Sequence, residues 1–227
     1  MMSWEPRRPP EERACASGGI SSSALYRLTA DLVTRYHGAG GRLVDVGCGK
    51  GQAWAFVSSK FDEYIGLDLV SYPQFPAEGR FLKADLDEQA LPLPNEFGHV
   101  VISLGVIEYL ENPWRFSREL ARVTKTGGLV VLGTTNQLSL LSKMTLLLRN
   151  RFNAFQRRQP GAPITALVEG DLIEMARSAG LSEVDALYTD DGRIPFTGRR
   201  WPEALGFRGR AFSEAVVTFG VKRAGVA

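Results

Sequence analysis

The 227 residues are 44% hydrophobic and 23% charged with a formal net charge of +2, which fits one α/β-sized core and argues against a disordered chain or a strongly basic nucleic-acid binder. Two cysteines, Cys15 in a polar lead segment and Cys48, supply neither a disulfide framework nor a zinc ligand set, so no metal is expected and a reducing cytoplasm is the natural setting. No apolar run of about 18 residues occurs and the opening stretch, with Trp4, Pro6, Arg7, Arg8, Pro9 and Pro10, lacks a secretory h-region; residues 1–20 read as a mobile tail and 21–227 as a single domain.

In chain order, Ser22 or Ser23 can cap a first helix whose Leu25, Leu28, Leu32 and Tyr36 share one stripe and which ends by Gly38. The apolar run 43–46 predicts a strand covered on both faces. Gly47, Gly49 and Gly51 follow as a turn without Cβ atoms, which lets a ligand approach the main chain. Residues 52–60 read as a helix whose first amides and positive dipole end would face the turn. A second strand over 64–68 ends in Asp68, where a doubly wound fold places a carboxylate that accepts hydrogen bonds from ribose hydroxyls. Asn112 followed by Pro113 predicts a helix start, and Gly127-Gly128 its end before a strand over 129–133. A helix over 171–179 and strands over 183–188 and 215–221 complete the alternation that signals a doubly wound, mostly parallel sheet flanked by helices.

What the glycine turn lacks narrows its ligand. A dinucleotide fingerprint needs glycine or alanine where Gln52 stands, which disfavours a nicotinamide-dependent oxidoreductase. A P-loop would need Ser or Thr after Lys50 and a glycine five residues before it, and Gly51 and Asp45 occupy those places. The remaining pattern, Asp45, Gly47, Gly49 and Gly51, resembles the first motif of the class I S-adenosylmethionine-dependent methyltransferases. Lys83-Ala84-Asp85-Leu86-Asp87, Leu91-Pro92-Leu93-Pro94 and the run from His99 to Asn136 extend the likeness to the small type 11 methyltransferases.

The resemblance implies a Rossmann-like, seven-stranded sheet with an antiparallel last strand and S-adenosyl-L-methionine as cofactor, leaving S-adenosyl-L-homocysteine as product. By residue matching, Gly47, Gly49 and Gly51 would hold the methionine portion, Asp68 the ribose, and Asp85 with the Leu86 backbone the adenine, with Leu69 also at the cofactor. Ser103 and Leu104 would face the methionine moiety, with Asp45 near the cofactor or bracing the loop. The N-terminal helix would bring Tyr26 and Arg27 near the site. Each position also has a plainer reading: glycines that only turn the chain, and an Asp85 that caps a turn with Asp87.

Glu108 and Tyr109 stand where relatives often carry Glu-His, and Pro163 where some carry histidine before Ile164-Thr165, which leaves Glu108 and Tyr109 as the catalytic candidates. His37 and His99 read as structural. The insertion 137–168 contains no acidic residue and combines Leu138, Leu140, Leu141, Met144, Leu147 and Leu148 with Lys143, Arg149, Arg151, Arg157 and Arg158. Insertions at the carboxyl ends of strands border the ligand crevice, so it is placed to form a substrate lid for an anionic or lipid-linked acceptor, with at most peripheral membrane contact; the plainer reading is an apolar side that completes the core beneath solvated arginines.

The expected activity is methyl transfer to a hydroxyl or amine of a small glycan, lipid-linked or specialised-metabolite acceptor. The alternatives are a catalytically silent cofactor-binding partner or a nicotinamide-dependent oxidoreductase. Nucleic acid is disfavoured by the balanced charge and by the lack of an Asn-Pro-Pro-Tyr-like loop after Ser103.

Overall fold

The structure is a computed structural model that describes residues 11, 18–87, 90–155, 162–202 and 206–224. Ser22 caps helix α1, Ser23–Tyr36, its hydroxyl accepting from the Leu25 amide at 3.2 Å. Strand β1, Arg42–Val46, leads through the glycine turn to α2, Trp54–Val57, and β2, Glu63–Asp68. Strands β3, Arg80–Lys83, and β4, Gly98–Leu104, precede α3, Pro113–Val123, and β5, Thr124–Thr135. Then come α4, Leu140–Arg149, α5, Glu169–Ser178, β6, Leu181–Tyr188, and β7, Ala215–Lys222.

The seven strands form one sheet in the order β3-β2-β1-β4-β5-β7-β6, with β7 antiparallel to both its neighbours and the other pairs parallel. The expected doubly wound sheet with an antiparallel last strand is therefore present. The order reverses between β1 and β4, so their carboxyl ends open a crevice where such sheets bind ligands.

Strand period decides which side chains reach which core layer. Val44, Val101, Val130 and Leu132 pack on one face with Phe116 and Leu120 of α3 and Leu172 and Met175 of α5. Leu43, Val100, Ile102, Leu129 and Val131 pack on the other with Leu25, Leu32 and Val33 of α1. Covered on both faces, β1 and β4 read as unbroken apolar runs.

Most boundaries move by a residue or two from the sequence reading, and two differ by more than that for a local reason. The helix expected over 52–60 shrinks to one α turn followed by a 3-10 turn, Ser58–Lys60. Ala53 at its start offers no side-chain acceptor to the first amides, and Ser58-Ser59 favour a turn at the far end. The helix α3 ends at Val123 rather than at the glycines, where the Thr124 hydroxyl donates to the Leu120 carbonyl at 2.7 Å. Gly127 and Gly128 instead lie inside the long strand β5. A Cβ at Gly128 would come within 2.7 Å of the His99 carbonyl, so close strand approach requires that glycine.

Candidate active site

The β1–β4 crevice holds a cavity of about 360 Å³, within the usual range for small-molecule sites. Of the residues expected at a cofactor, Asp45, Gly47, Gly49, Asp68, Leu69, Asp85, Leu86 and Leu104 line it. Gly51 and Ser103 do not. A Cβ at Gly51 would collide with Pro76, and the Ser103 hydroxyl is fully buried and donates to the Val46 carbonyl at 2.8 Å. Both positions are needed for packing beneath the turn, a demand that leaves the same sequence trace as ligand contact.

The turn itself is built by φ angles of +78° at Gly47 and +51° at Gly49, and a Cβ at Gly49 would strike the Gly19 carbonyl. Its amides are already engaged: Gly47 and Cys48 donate to the Leu67 carbonyl at 2.7 and 3.0 Å, and Lys50 donates to the Gly19 carbonyl at 3.0 Å. With α2 only four residues long, the expected helix-dipole contribution falls away. The turn offers a ligand space rather than free donors. Gly19, inside the expected 1–20 tail, is thereby fastened to the turn and lines the cavity with Ile20 and Ser21.

Four carboxyl groups line this end. Asp68 accepts from the Gly49 amide at 2.8 Å and from the Val70 amide at 3.2 Å, which fixes its direction and leaves further lone pairs; burial raises its pKa. Asp45 is 3% exposed and accepts from the Tyr64 hydroxyl at 2.9 Å. Burial and, less strongly, the nearby Asp68 charge push Asp45 up to about 7, against the Tyr64 hydrogen bond. Asp85 accepts from the Asp87 amide at 3.0 Å, the turn that its plainer reading foresaw, and still borders the cavity. Asp87 accepts from the Glu111 amide at 2.7 Å. Cys48 also lines the wall; burial raises its thiol pKa, so it is no nucleophile.

At the other end, Glu108 is 3% exposed and accepts from the Thr134 hydroxyl at 2.7 Å. Burial raises its pKa, opposed by that bond and by the backbone amides of Glu108 and Thr135. Tyr109 lines the cavity beside it, its phenol pushed up to about 12 by burial and then by the Glu108 charge. The insertion reaches this point from behind: Ile164 and Thr165 donate their amides to the Glu108 carbonyl at 2.8 and 3.0 Å, and the Thr165 hydroxyl donates to the Leu110 carbonyl at 2.8 Å.

None of the described residues of 137–168 lines the cavity. In α4 the buried positions are Ser142 and Thr145, while Leu147 and Leu148 are 82% and 65% exposed, the reverse of an apolar core-facing stripe. Arg149 and Arg151 lie exposed near its end, and Arg157 and Arg158 fall outside the described residues. Tyr26 lines the cavity and accepts from the Ser21 amide at 2.8 Å, whereas Arg27 pairs with Asp190 at the surface. His37 and His99 sit at the opposite end of β1, His99 accepting from the Arg42 amide at 2.9 Å and neither lining the cavity.

Sequence reasoning missed Thr134, Thr135, Asp191 and Glu214, which close the cavity at the sheet's far edge. They become neighbours only because β7 runs antiparallel beside β5 and sets Ala215 opposite Thr135, a pairing that no local pattern announces. Among the described residues no group of three or more His, Cys, Asp or Glu could hold a metal ion, and no helix is long and apolar enough to cross a membrane.

Residues 44–132 match the methyltransferase domain family. An uncharacterized methyltransferase of Mycobacterium leprae is 34% identical over 118 residues, 48% of this chain and 43% of that protein. The 27-O-demethylrifamycin SV methyltransferase of Amycolatopsis mediterranei is 30% identical over 127 residues, 49% and 47% of the two chains. The chain thus spans less than half the length of these curated relatives. In fold it resembles the Burkholderia thailandensis 1,6-didemethyltoxoflavin-N1-methyltransferase, solved with its substrate and S-adenosylhomocysteine, with a TM-score of 0.64 at 13% identity over 98% of this chain and 94% of that one. The matched segment is thus similar to methyltransferase domains, and the fold is one that solved methyltransferases share.

Proposed function

We propose that the chain transfers a methyl group from S-adenosyl-L-methionine to a hydroxyl or amine of a small acceptor. The observation that carries this reading is the convergence of a Cβ-free turn, Asp68 and Asp85 on one crevice at the β1–β4 switch. The residues fit the group: Gly47 and Gly49 leave room for the methionine portion, Asp68 is aimed by two amides and keeps lone pairs for ribose hydroxyls, and Asp85 with Leu86 borders the adenine side. The acidic lining suits a ligand with a positive sulfur. When bound, the cofactor supplies a methyl group already activated on sulfonium.

The protein's share of the chemistry is then alignment and proton handling. Glu108, held by Thr134 behind and by Ile164 and Thr165 through its backbone, is positioned to accept a proton from an acceptor hydroxyl or amine. A carboxyl with raised pKa accepts such a proton more readily near neutral pH than an ordinary one. Tyr109 orients the acceptor beside it. The insertion 137–168 serves the acceptor side by bracing Glu108, and its exposed Leu147 and Leu148 lie beyond the cavity. The nicotinamide-dependent and catalytically silent readings gain no observation.

Incubation with a methyl-deuterated donor and a metabolite extract tests the reading. The expected result is a product heavier by one labelled methyl that forms with the wild-type protein and not with Asp68→Ala; no labelled product above the protein-free background would refute it.

A further inference from the structure

Helix α4 carries its apolar side outward, and its inward contacts hold it that way. Leu140, Lys143, Met144, Leu147 and Leu148 recur at the spacing that gathers residues on one helix face, and all but Met144 are exposed. Ser142 and Thr145 occupy the opposite, buried face. The Ser142 hydroxyl donates to the Gln137 side chain and accepts from the Asn153 amide, while the Thr145 hydroxyl donates to the Ser142 carbonyl at 2.9 Å. At the helix start the Leu140 amide donates to the Ala211 carbonyl at 2.7 Å, which ties α4 to the loop before β7. Turning the leucines inward would break these hydrogen bonds and bury their polar groups unpaired. The outward leucines are therefore a built surface, and apolar residues grouped on a surface mark a place of contact.

The charges around this face share one sign. Residues 137–168 hold five cations and no acid in a chain of net charge +2, so the rest of the chain is net negative and the positive excess is concentrated here. Lys143 stands within the apolar face, and Arg149 and Arg151 are exposed at its far end. A helix that lies in the plane of a bilayer interface is built this way, with leucines among the acyl chains and long cationic side chains reaching the anionic headgroups. Paired with a second copy of itself, the face would instead set these cations against one another with no acid of the segment between them. A protein partner needs pockets to seat its anchors, whereas these leucines project from a helix, and a fluid apolar phase accepts them without matching shape. At ten residues α4 is too short to cross a bilayer, so contact stays at the surface.

We propose that the outward face of α4 docks the protein on an anionic lipid surface, with Leu147 and Leu148 entering the acyl boundary and Lys143, Arg149 and Arg151 at the headgroups. Helix α4 follows β5 directly in the chain, and Thr134 and Thr135 at the end of β5 line the cavity. The docked face thus belongs to the end of the sheet that holds the crevice. Docking does not depend on the methyl-transfer reading, and each can fail without the other.

Flotation of the full chain with vesicles tests it, comparing pure phosphatidylcholine with an equal mixture of phosphatidylcholine and phosphatidylglycerol. Binding to the mixture is expected to be at least about tenfold tighter, since each cation near a charged surface adds to affinity, and to weaken at high salt. Leu147→Ser combined with Leu148→Ser should weaken binding to the mixture at least about tenfold through lost apolar burial, and Lys143→Gln combined with Arg149→Gln should do so by about tenfold through lost charge. All four side chains are exposed, so circular dichroism and the thermal midpoint should match the wild type in both variants, which separates lost docking from lost folding. Equal binding to the two kinds of vesicle, or binding that survives both double variants, overturns the proposal. No binding to the mixture overturns it in favour of a protein partner, and a dimer in light scattering that the leucine pair abolishes overturns it in favour of a second copy.

Discussion

The two ends of the cavity are finished to different degrees. At the glycine turn each acid is held: Asp68 by two amides, Asp45 by Tyr64 and Asp85 by the Asp87 amide, so the wall is fixed before any ligand arrives. At the far end Glu108 is equally fixed, yet Asp191 keeps a buried oxygen without a donor. Preorganisation of the first kind suits a ligand held in one fixed pose. The contrast sets the glycine turn, at the ends of the central strands, apart from the wall where β7 meets β5.

The sharpest way to break this contrast is to give the turn a side chain. Gly49→Ala, at φ +51° and facing the Gly19 carbonyl, should lose more than about 2 kcal/mol of stability and all measurable S-adenosylhomocysteine binding, read by denaturant unfolding and calorimetry. Gly127→Ala, at φ +80° with open space around its would-be Cβ, should cost only about 1 kcal/mol and leave binding intact. Similar losses for both would mean that backbone strain, not the shape of the turn, explains the first.

Next in size is a pH effect. Asp45 titrates near 7 when folded and near 4 when unfolded, so between those values the folded chain binds more protons and stability falls as pH rises. The loss should approach about 1.4 kcal/mol per pH unit from this one group, and Asp45→Asn should flatten the curve. Chemical unfolding between pH 5 and 7.5 checks it; a wild-type curve that rises across this range with the same slope in the variant would contradict the assigned burial.

Glu108→Gln should reduce turnover of the labelled product about a hundredfold with S-adenosylhomocysteine affinity unchanged, because it removes proton acceptance and keeps a hydrogen-bonding acceptor for Thr134. A parallel loss of cofactor affinity would move Glu108 to the other end of the site. The smallest effect belongs to Leu148→Ser: at 65% exposure it should change thermal stability by less than about 0.5 kcal/mol, and a larger drop would show that α4 is covered in solution.

Most of the parallel half was legible because its signals are local. A run such as 43–46 buried on both faces, the turn after it and a carboxylate at the end of the next strand all fall within a few residues of each other, and all three emerged as expected. The cap at Asn112 was legible for the same reason, since its carboxamide accepts from the Arg115 amide at 2.9 Å. Gly51 and Ser103 misled because packing and ligand contact demand the same small or polar residue. In the insertion, the apolar side expected of Leu138, Leu140, Leu141, Met144, Leu147 and Leu148 does not become a buried face of α4; Ser142 and Thr145 face inward instead, where the Ser142 hydroxyl donates to Gln137 at 3.2 Å and accepts from the Asn153 amide at 3.2 Å. Asp191 and Glu214 were invisible because only the antiparallel return of β7 brings them to the crevice.

Asp68 and the glycine turn are proposed to grip an adenosine-bearing cofactor, which titration calorimetry with S-adenosylhomocysteine can decide. One-site binding is expected for the wild-type chain, weakened roughly tenfold to a hundredfold in Asp68→Ala and less than about threefold in Tyr109→Phe. No heat of binding to the wild-type chain, or equal losses in the two variants, would contradict it.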